Sequence, residues 1–338
     1  MDLLTFGEGM VRLTPPGFQR LEQARSFDVH VGGGELNVAV GAARLGLSTS
    51  WVSRLSENPL GRMIAARARE QGVDTSRVAW TRTERNGLYF AELGASPRAS
   101  TVLYDRAGSA VSRITPGTID WAAALDGVRW FHTSGITPAL SPSAAAVTAE
   151  ALAAAKKAGA TVSYDLNFRS KLWSPEQARA VQEPLMEHVD VLITTEEDAR
   201  VVFGVGGTAN DRFESVDAEA YAQVARTLHD RFSVDAVAIT LRENPRVWTN
   251  SWSAIVFAEG TVHRAPRYEV EIVDRIGAGD SFSAGLIFGM LRCNDWSKAV
   301  RYGTALSALK HTVPGDFSQA TLDEVEHLMA GASLRVNR

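Results

Sequence analysis

The chain has 338 residues, 45% hydrophobic and 22% charged, with a net charge of −4. That length exceeds one simple domain and falls short of two full ones, so a single α/β body spanning 1–338 with a small inserted piece is expected. The mild negative charge gives no electrostatic basis for nucleic-acid binding. No run of 18 apolar residues offers a membrane span, and the lone Cys293 excludes an intrachain disulfide or a Cys-based zinc site.

Met1 to Gly7 lacks the basic flank and long apolar stretch of a signal peptide, so it predicts a first strand, Leu3 to Phe6, and a cytoplasmic protein. Leu36 to Leu45 predicts a helix, Thr49 to Val52 a strand and Leu60 to Glu70 a helix. Further strands are expected at Val128 to Phe131, Ala160 to Tyr164, Val189 to Ile193 and Ala236 to Thr240. Helical stretches such as Ser143 to Lys157 and Ala218 to Arg231 lie between them. This alternation predicts a mostly parallel central sheet covered by helices on both faces. Two segments break the rhythm, about Met10 to Val31 and about Asn86 to Ile114. In the second, Gly87 to Leu93 and Ser100 to Tyr104 flank a Gly/Pro/Ser turn in the manner of a β-hairpin. Both segments are expected to form a small β-sheet lid over a cleft. Gly204 to Asp211 is the most loop-like stretch, and Cys293 reads as a small core residue of an apolar helix.

The most informative run is Asp274-Arg275-Ile276-Gly277-Ala278-Gly279-Asp280, between a strand-like stretch, Tyr268 to Val273, and a helix through Leu291. Glycines allow close backbone approach, and the free N–H groups of a helix's first turn bind anions. A carboxylate there can take a proton from a hydroxyl while the N–H groups hold a phosphoryl group. A turn followed by an N-capping Asp is the plainer alternative. The run resembles the C-terminal signature of the PfkB family of carbohydrate kinases, usually Asp-Thr-x-Gly-Ala-Gly-Asp, with Arg275 in place of Thr. Gly32-Gly33-Gly34-Glu35-Leu36-Asn37, followed by Ala42-Ala43-Arg44-Leu45-Gly46, resembles the family's first signature. The resemblance covers nearly the whole chain and implies a ribokinase-like αβα sandwich with a β-sheet lid. It further implies Asp280 as catalytic base, Gly277, Ala278 and Gly279 as an anion hole, and Gly34 and Asn37 in the sugar site. ATP and Mg²⁺ are the expected cofactors; many relatives also use a monovalent cation near the anion hole.

In the nucleotide half, family members usually carry Asn-x-x-Glu after a mid-chain strand. Here Thr195 and Asp198 stand at those places, which leaves Glu197 or Asp198 to act on Mg²⁺ through water, or else to complement a helix dipole. Relatives have Thr-x-Gly-x-x-Gly after the strand ending at Thr240; this chain has Arg242 and Pro245 at the glycine places. Arg242 is either a phosphate partner or a solvated loop residue. The adenine pocket is expected between this loop and the helix Ala299 to His311, with Ala308 and His311 as candidates and Asn167 also on the ATP side. A helix C-terminal role is the alternative for His311.

In the sugar half, Tyr89 and Tyr104 lie on the two lid strands, Arg106 follows Tyr104 by two residues, and Arg169 follows a strand end. Guanidiniums facing one cleft suit a carboxylate-bearing polyol. Gly34, Tyr89, Tyr104, Arg106, Arg169, Asp280 and Asp316, with the segment Asp165-Leu166-Asn167-Phe168-Arg169-Ser170-Lys171-Leu172-Trp173, resemble the substrate contacts of 2-keto-3-deoxygluconate kinases. The resemblance therefore implies phosphorylation of that sugar acid at its terminal primary hydroxyl. A neutral-sugar kinase of the same family and a regulatory binding protein are the alternatives. A dinucleotide dehydrogenase lacks its Gly-x-Gly-x-x-Gly turn here. The lid, with unpaired edges, is expected to form a dimer contact.

Overall fold

The computed structural model describes residues 1–206, 218–246 and 248–331. Among these, eleven strands form one sheet. Its main path runs Thr261–Arg264, Thr249–Ala258, Ala236–Arg246, Val191–Thr194, Thr161–Asp165, Trp130–Ser134, Leu3–Phe6, Thr49–Ser56 and Val73–Asp74. Every pairing from Ala236–Arg246 onward is parallel, and the strands before it are antiparallel. Successive residues of a strand point to opposite faces. Leu4, Phe131, Leu192 and Val237 therefore join one core, while Leu3, Trp130, Val191 and Ala236 join the other. Burial on both faces explains why these strands read as continuous apolar runs without alternation.

The first core is covered by Pro142–Lys157, Pro175–Leu185, Glu196–Phe203 and Ala218–Phe232. The second is covered by Gly34–Arg44, Ala278–Cys293 and Trp296–Lys310. The last two of these helices meet backbone to backbone: a Cβ on Gly289 would stand 2.4 Å from Ala299 Cα, and one on Gly285 2.6 Å from Tyr302 O. Cys293 ends the first of the pair and packs against this core. Helices start where caps are strong. Ser141 accepts from Ala144 N at 3.0 Å before Pro142, and Ser174 accepts from Gln177 N before Pro175. The helix after Ser174 was not assigned from sequence, although Ser-Pro announces it.

A second sheet of four strands runs Asp28–Gly32, Met10–Thr14, Gly87–Glu92 and Thr101–Asp105. Both segments that broke the sequence rhythm are in it, and the expected hairpin is antiparallel. Cross-strand register puts His30, Arg12, Tyr89 and Tyr104 in one row and Val29, Leu13, Phe90 and Leu103 in the next. The two rows face opposite sides.

One expectation changes. The strand expected to stop at Thr240 continues to Arg246 and pairs antiparallel with Thr249–Ala258, so Leu241 to Arg246 stand on a strand. Its register shifts between Glu243 and Arg246, where an irregularity tolerates Pro245 within a sheet. Residues 207–217 lie outside the described residues, so the loop-like stretch is seen only from Gly204 to Gly206. Among the described residues no helix is long and apolar enough to cross a membrane.

Candidate active site

The parallel strands end toward the second sheet, and a cleft of about 1140 Å³ opens between them. One wall is the signature turn. Gly277 has φ +86°, and a Cβ there would lie 2.0 Å from Asp316 O, so only glycine fits. Gly277 caps the helix Ala278–Cys293, which places Ala278, Gly279 and Asp280 in its first turn. A Cβ on Gly279 would meet nothing within 4 Å, which marks the open side of the turn.

Asp280 Oδ2 accepts from Asn37 Nδ2 at 2.6 Å, and Asn37 Oδ1 accepts from Gly33 N at 3.3 Å. The two glycine-rich motifs, 243 residues apart, thus meet in one hydrogen bond. Gly34 lies beside them: a Cβ there would be 3.7 Å from Asp280 Oδ1 and 3.9 Å from Asn167 Nδ2. Loss of water pushes the Asp280 carboxyl up to about 6, against the lowering pull of the Asn37 bond and the Arg169 charge.

Arg12 holds the second sheet onto this wall. It is 1% exposed, and its guanidinium reaches Asp274 Oδ2 at 2.7 Å and Asp316 Oδ1 at 3.0 Å. Nε donates to Thr14 Oγ1 at 2.8 Å, and Tyr89 OH donates to Asp316 Oδ2. Asp274 in turn accepts from the backbone N–H groups of Ile276 and Gly315, and Lys310 Nζ donates to Asp274 O at 3.1 Å. Burial and the Asp316 charge hold the Tyr89 phenol well above its usual range, so it remains a donor. Asp316, expected as a substrate contact, lines the cleft but is already engaged by Arg12 and Tyr89.

Tyr104 stacks near Tyr89 with ring centroids 5.7 Å apart, and the Arg106 guanidinium lies 5.4 Å from the Tyr104 centroid. Both guanidiniums expected at the sugar line the cleft, but they differ in pairing. Arg106 is buried and paired with Glu8, whereas Arg169 is exposed and donates to the Phe168 carbonyl at 3.0 Å.

Farther along, Asp165, Thr194, Glu197 and Asp198 line the cleft, with Thr240, Trp252 and His311 at its end. Desolvation, then the charges of Asp198 and Asp280, hold the Asp165 carboxyl well above its usual range. Its Oδ1 accepts from Asn167 N at 3.1 Å, where Asn167 takes φ +39°. Thr195 caps the helix Glu196–Phe203 by accepting from Asp198 N at 3.0 Å, so Glu197 and Asp198 do sit in an acidic first turn. His311 caps its helix and bonds Ser307 O at 2.8 Å through Nδ1. A carbonyl only accepts, so Nδ1 carries the proton and Nε2 is an acceptor. Burial pushes His311 down to about 4, so it is neutral at pH 7. Ala308, expected beside it, is buried instead in a small cluster with Trp252 and Val270. Arg242 lies on the strand opposite Trp252, and its side chain is outside the described residues.

Sequence reasoning missed Arg12, Glu8 and Lys310, and quoted Glu35 and Asp165 within motifs without giving either a role of its own. Glu35 is fully buried, accepts from Ser134 and Thr137, and is pushed up to about 7 by desolvation. The signal was present: single charges inside apolar strands or helices, such as Arg12 in Met-Val-Arg-Leu-Thr and Lys310 in an apolar helix, are costly unless paired.

The chain belongs to the pfkB family of carbohydrate kinases, whose model matches residues 2–321. It has the ribokinase-like αβα sandwich and smaller second sheet that the sequence resemblance implied. It is 39% identical over 337 residues to a 2-dehydro-3-deoxygalactonokinase from Haloferax volcanii, covering 100% of this chain and 99% of that one. A 5-dehydro-2-deoxygluconokinase from Shouchella clausii is 28% identical, with 97% and 95% covered. The crystal structure of a 2-dehydro-3-deoxygluconokinase from Thermotoga maritima superposes with a TM-score of 0.93 at 46% identity, covering 98% of each chain.

Replacing Arg12 with Leu leaves the Asp274 and Asp316 carboxylates buried without their cation. Breaking a buried pair from one side costs about 3–5 kcal/mol, so Arg12→Leu is expected to lower urea-unfolding stability by that order. A loss below about 1 kcal/mol would show that the pair does not hold the second sheet.

Proposed function

We propose that this chain moves the γ-phosphoryl group of ATP to the terminal primary hydroxyl of a sugar acid, with 2-keto-3-deoxygluconate as the best-supported substrate. The observation that carries this is Asp280: a carboxylate raised to about 6, in the first turn of a helix, tied to the other signature by Asn37. Asp280 takes the hydroxyl proton, and the turn Gly277, Ala278 and Gly279 offers its N–H groups to the phosphoryl oxygens, that of Ala278 by leaving the Arg275 carbonyl to which it donates at 3.3 Å. Arg169 supplies a cation for the substrate carboxylate; Gly34, Asn37, Tyr89, Tyr104, Arg106 and Asp316 line the sugar half. Asn167, Thr240 and His311 line the ATP half, with Arg242 on the adjoining strand. The named relatives at 39% and 46% identity both act, by their names, on 2-dehydro-3-deoxy sugar acids.

A Mg²⁺ ion fits the residues near Asp165, because carboxylates that raise one another's proton affinity call for a cation. Among the described residues no three His, Cys, Asp or Glu converge to cage a metal alone. Glu197, Asp198 and Asp165 would therefore hold Mg²⁺ largely through water. When bound, the ion neutralises phosphate charge.

The base must be ionised, and a raised carboxyl is protonated below its shifted value. The kcat/KM profile is therefore expected to fall about tenfold per pH unit below about pH 6. Asp280→Asn should keep ATP affinity while turnover drops by roughly 100-fold or more. Near-normal turnover in that variant removes Asp280 as the base.

Substrate class is tested by kcat/KM in an ADP-release assay with 2-keto-3-deoxygluconate, 2-keto-3-deoxygalactonate and fructose. The acids are expected to lead, and Arg169→Ala to weaken them by roughly 10- to 100-fold. Preference for fructose would replace this function with the neutral-sugar kinase.

The second sheet also supports a dimer. Its outer row contains Val29 and Leu103, 51% and 58% exposed, with Leu13 and Phe90 between them and Phe27 against Phe90. Among the described residues both outermost strands pair with a strand on one side only, so a second copy can cover apolar area and edge together. Sedimentation at micromolar concentration is expected to give a dimer, and Leu103→Asp a monomer. A monomer in the unaltered protein contradicts this contact.

A further inference from the structure

Glu8 lies between Gly7 and Gly9, just past the first strand, and is 3% exposed. Its Oε2 accepts from Arg106 Nε at 2.8 Å and from Arg106 Nη2. Its Oε1 has no hydrogen-bond partner among the described residues. Two glycines allow this close packing: a Cβ on Gly33 would stand 1.9 Å from the Glu8 carbonyl oxygen, and one on Gly87 3.0 Å from Oε1. Both Glu8 and Arg106 line the sugar half of the cleft, and Nη1 of Arg106 takes no part in the pair.

We propose that Glu8 is a specificity-determining residue: it fixes Arg106 as a hydrogen-bond donor while cancelling its charge, so that selection of an acidic substrate falls to the other cations of the cleft, Arg169 first among them. This rests on the sugar-acid function above. Its physical content is that the Glu8–Arg106 pair enters the site as a unit of zero charge. Removing Arg106 alone leaves a buried carboxylate facing the substrate's carboxylate, so part of that variant's loss is repulsion from Glu8. Removing Glu8 alone gives the site a second net positive charge. Removing both restores the original charge.

The test reads the ratio of kcat/KM for 2-keto-3-deoxygluconate to kcat/KM for its uncharged methyl ester. The ratio is unaffected by the fraction of protein folded, because both substrates are measured on the same sample. It is compared in wild type, Glu8→Gln, Arg106→Met and the double variant. The expected order is Glu8→Gln highest, wild type and double variant similar, and Arg106→Met lowest, with steps of roughly tenfold for a unit charge at this range. A double variant as low as Arg106→Met overturns the proposal and shows that Arg106 grips the carboxylate itself. Should Arg106→Met fail to fold, Glu8→Gln carries the test alone: a ratio unchanged or below wild type overturns it. Wild-type protein with no sugar-acid turnover overturns both this proposal and the function it rests on, whereas a wrong order with sugar-acid turnover intact overturns the Glu8 proposal only.

Discussion

A single guanidinium, that of Arg12, faces two buried carboxylates, Asp274 and Asp316, from a strand of the second sheet. Asp274 opens the signature turn, and the Asp316 carbonyl is what forces Gly277 to be glycine. The position of the second sheet, the shape of the anion turn and the orientation of Tyr89 therefore depend on one charge arrangement. None of the three partners can be removed cheaply, because each charge is stable in the interior only through the others.

The rest of the cleft follows from the same electrostatics. Asp165, Asp280 and Glu35 all lose water, and all three are raised in consequence. At Asp280 the Asn37 hydrogen bond and the nearby Arg169 charge oppose that rise. The group is a stronger base than a fully solvated carboxylate. The cleft gathers the carboxyls of Asp165, Asp198 and Asp280, and Arg169 and Lys171 also line it.

Much of the site was legible in the chain because it is built on backbone geometry. Gly277 announces a turn only glycine can make, and Asn37 and Asp280 stand at fixed offsets from glycines in helix-opening runs. Side chains whose role is set by a partner far away in sequence were not legible. Arg106 looked like a free cation beside Tyr104, and only the fold reveals that Glu8, 98 residues earlier, occupies it. Ala308 looked like a pocket residue by helix position, yet the turn of the helix buries it against Trp252. The stretch past Thr240 was expected as a loop because relatives carry Thr-x-Gly-x-x-Gly there, but with Arg242 and Pro245 at the glycine places it pairs with Thr249–Ala258 and stays a strand.

The sequence by itself determined the layers, the parallel core of the sheet and the second sheet. Those features come from local periodicity and backbone constraints, which act over a few residues; that the two glycine-rich turns share one site was implied by the family resemblance. Only the tertiary structure decided which charges are free. A charge's state depends on what lies within a few ångströms and on how much water remains, and pairs such as Arg12 with Asp316, 304 residues apart, are set by the folding of the whole chain.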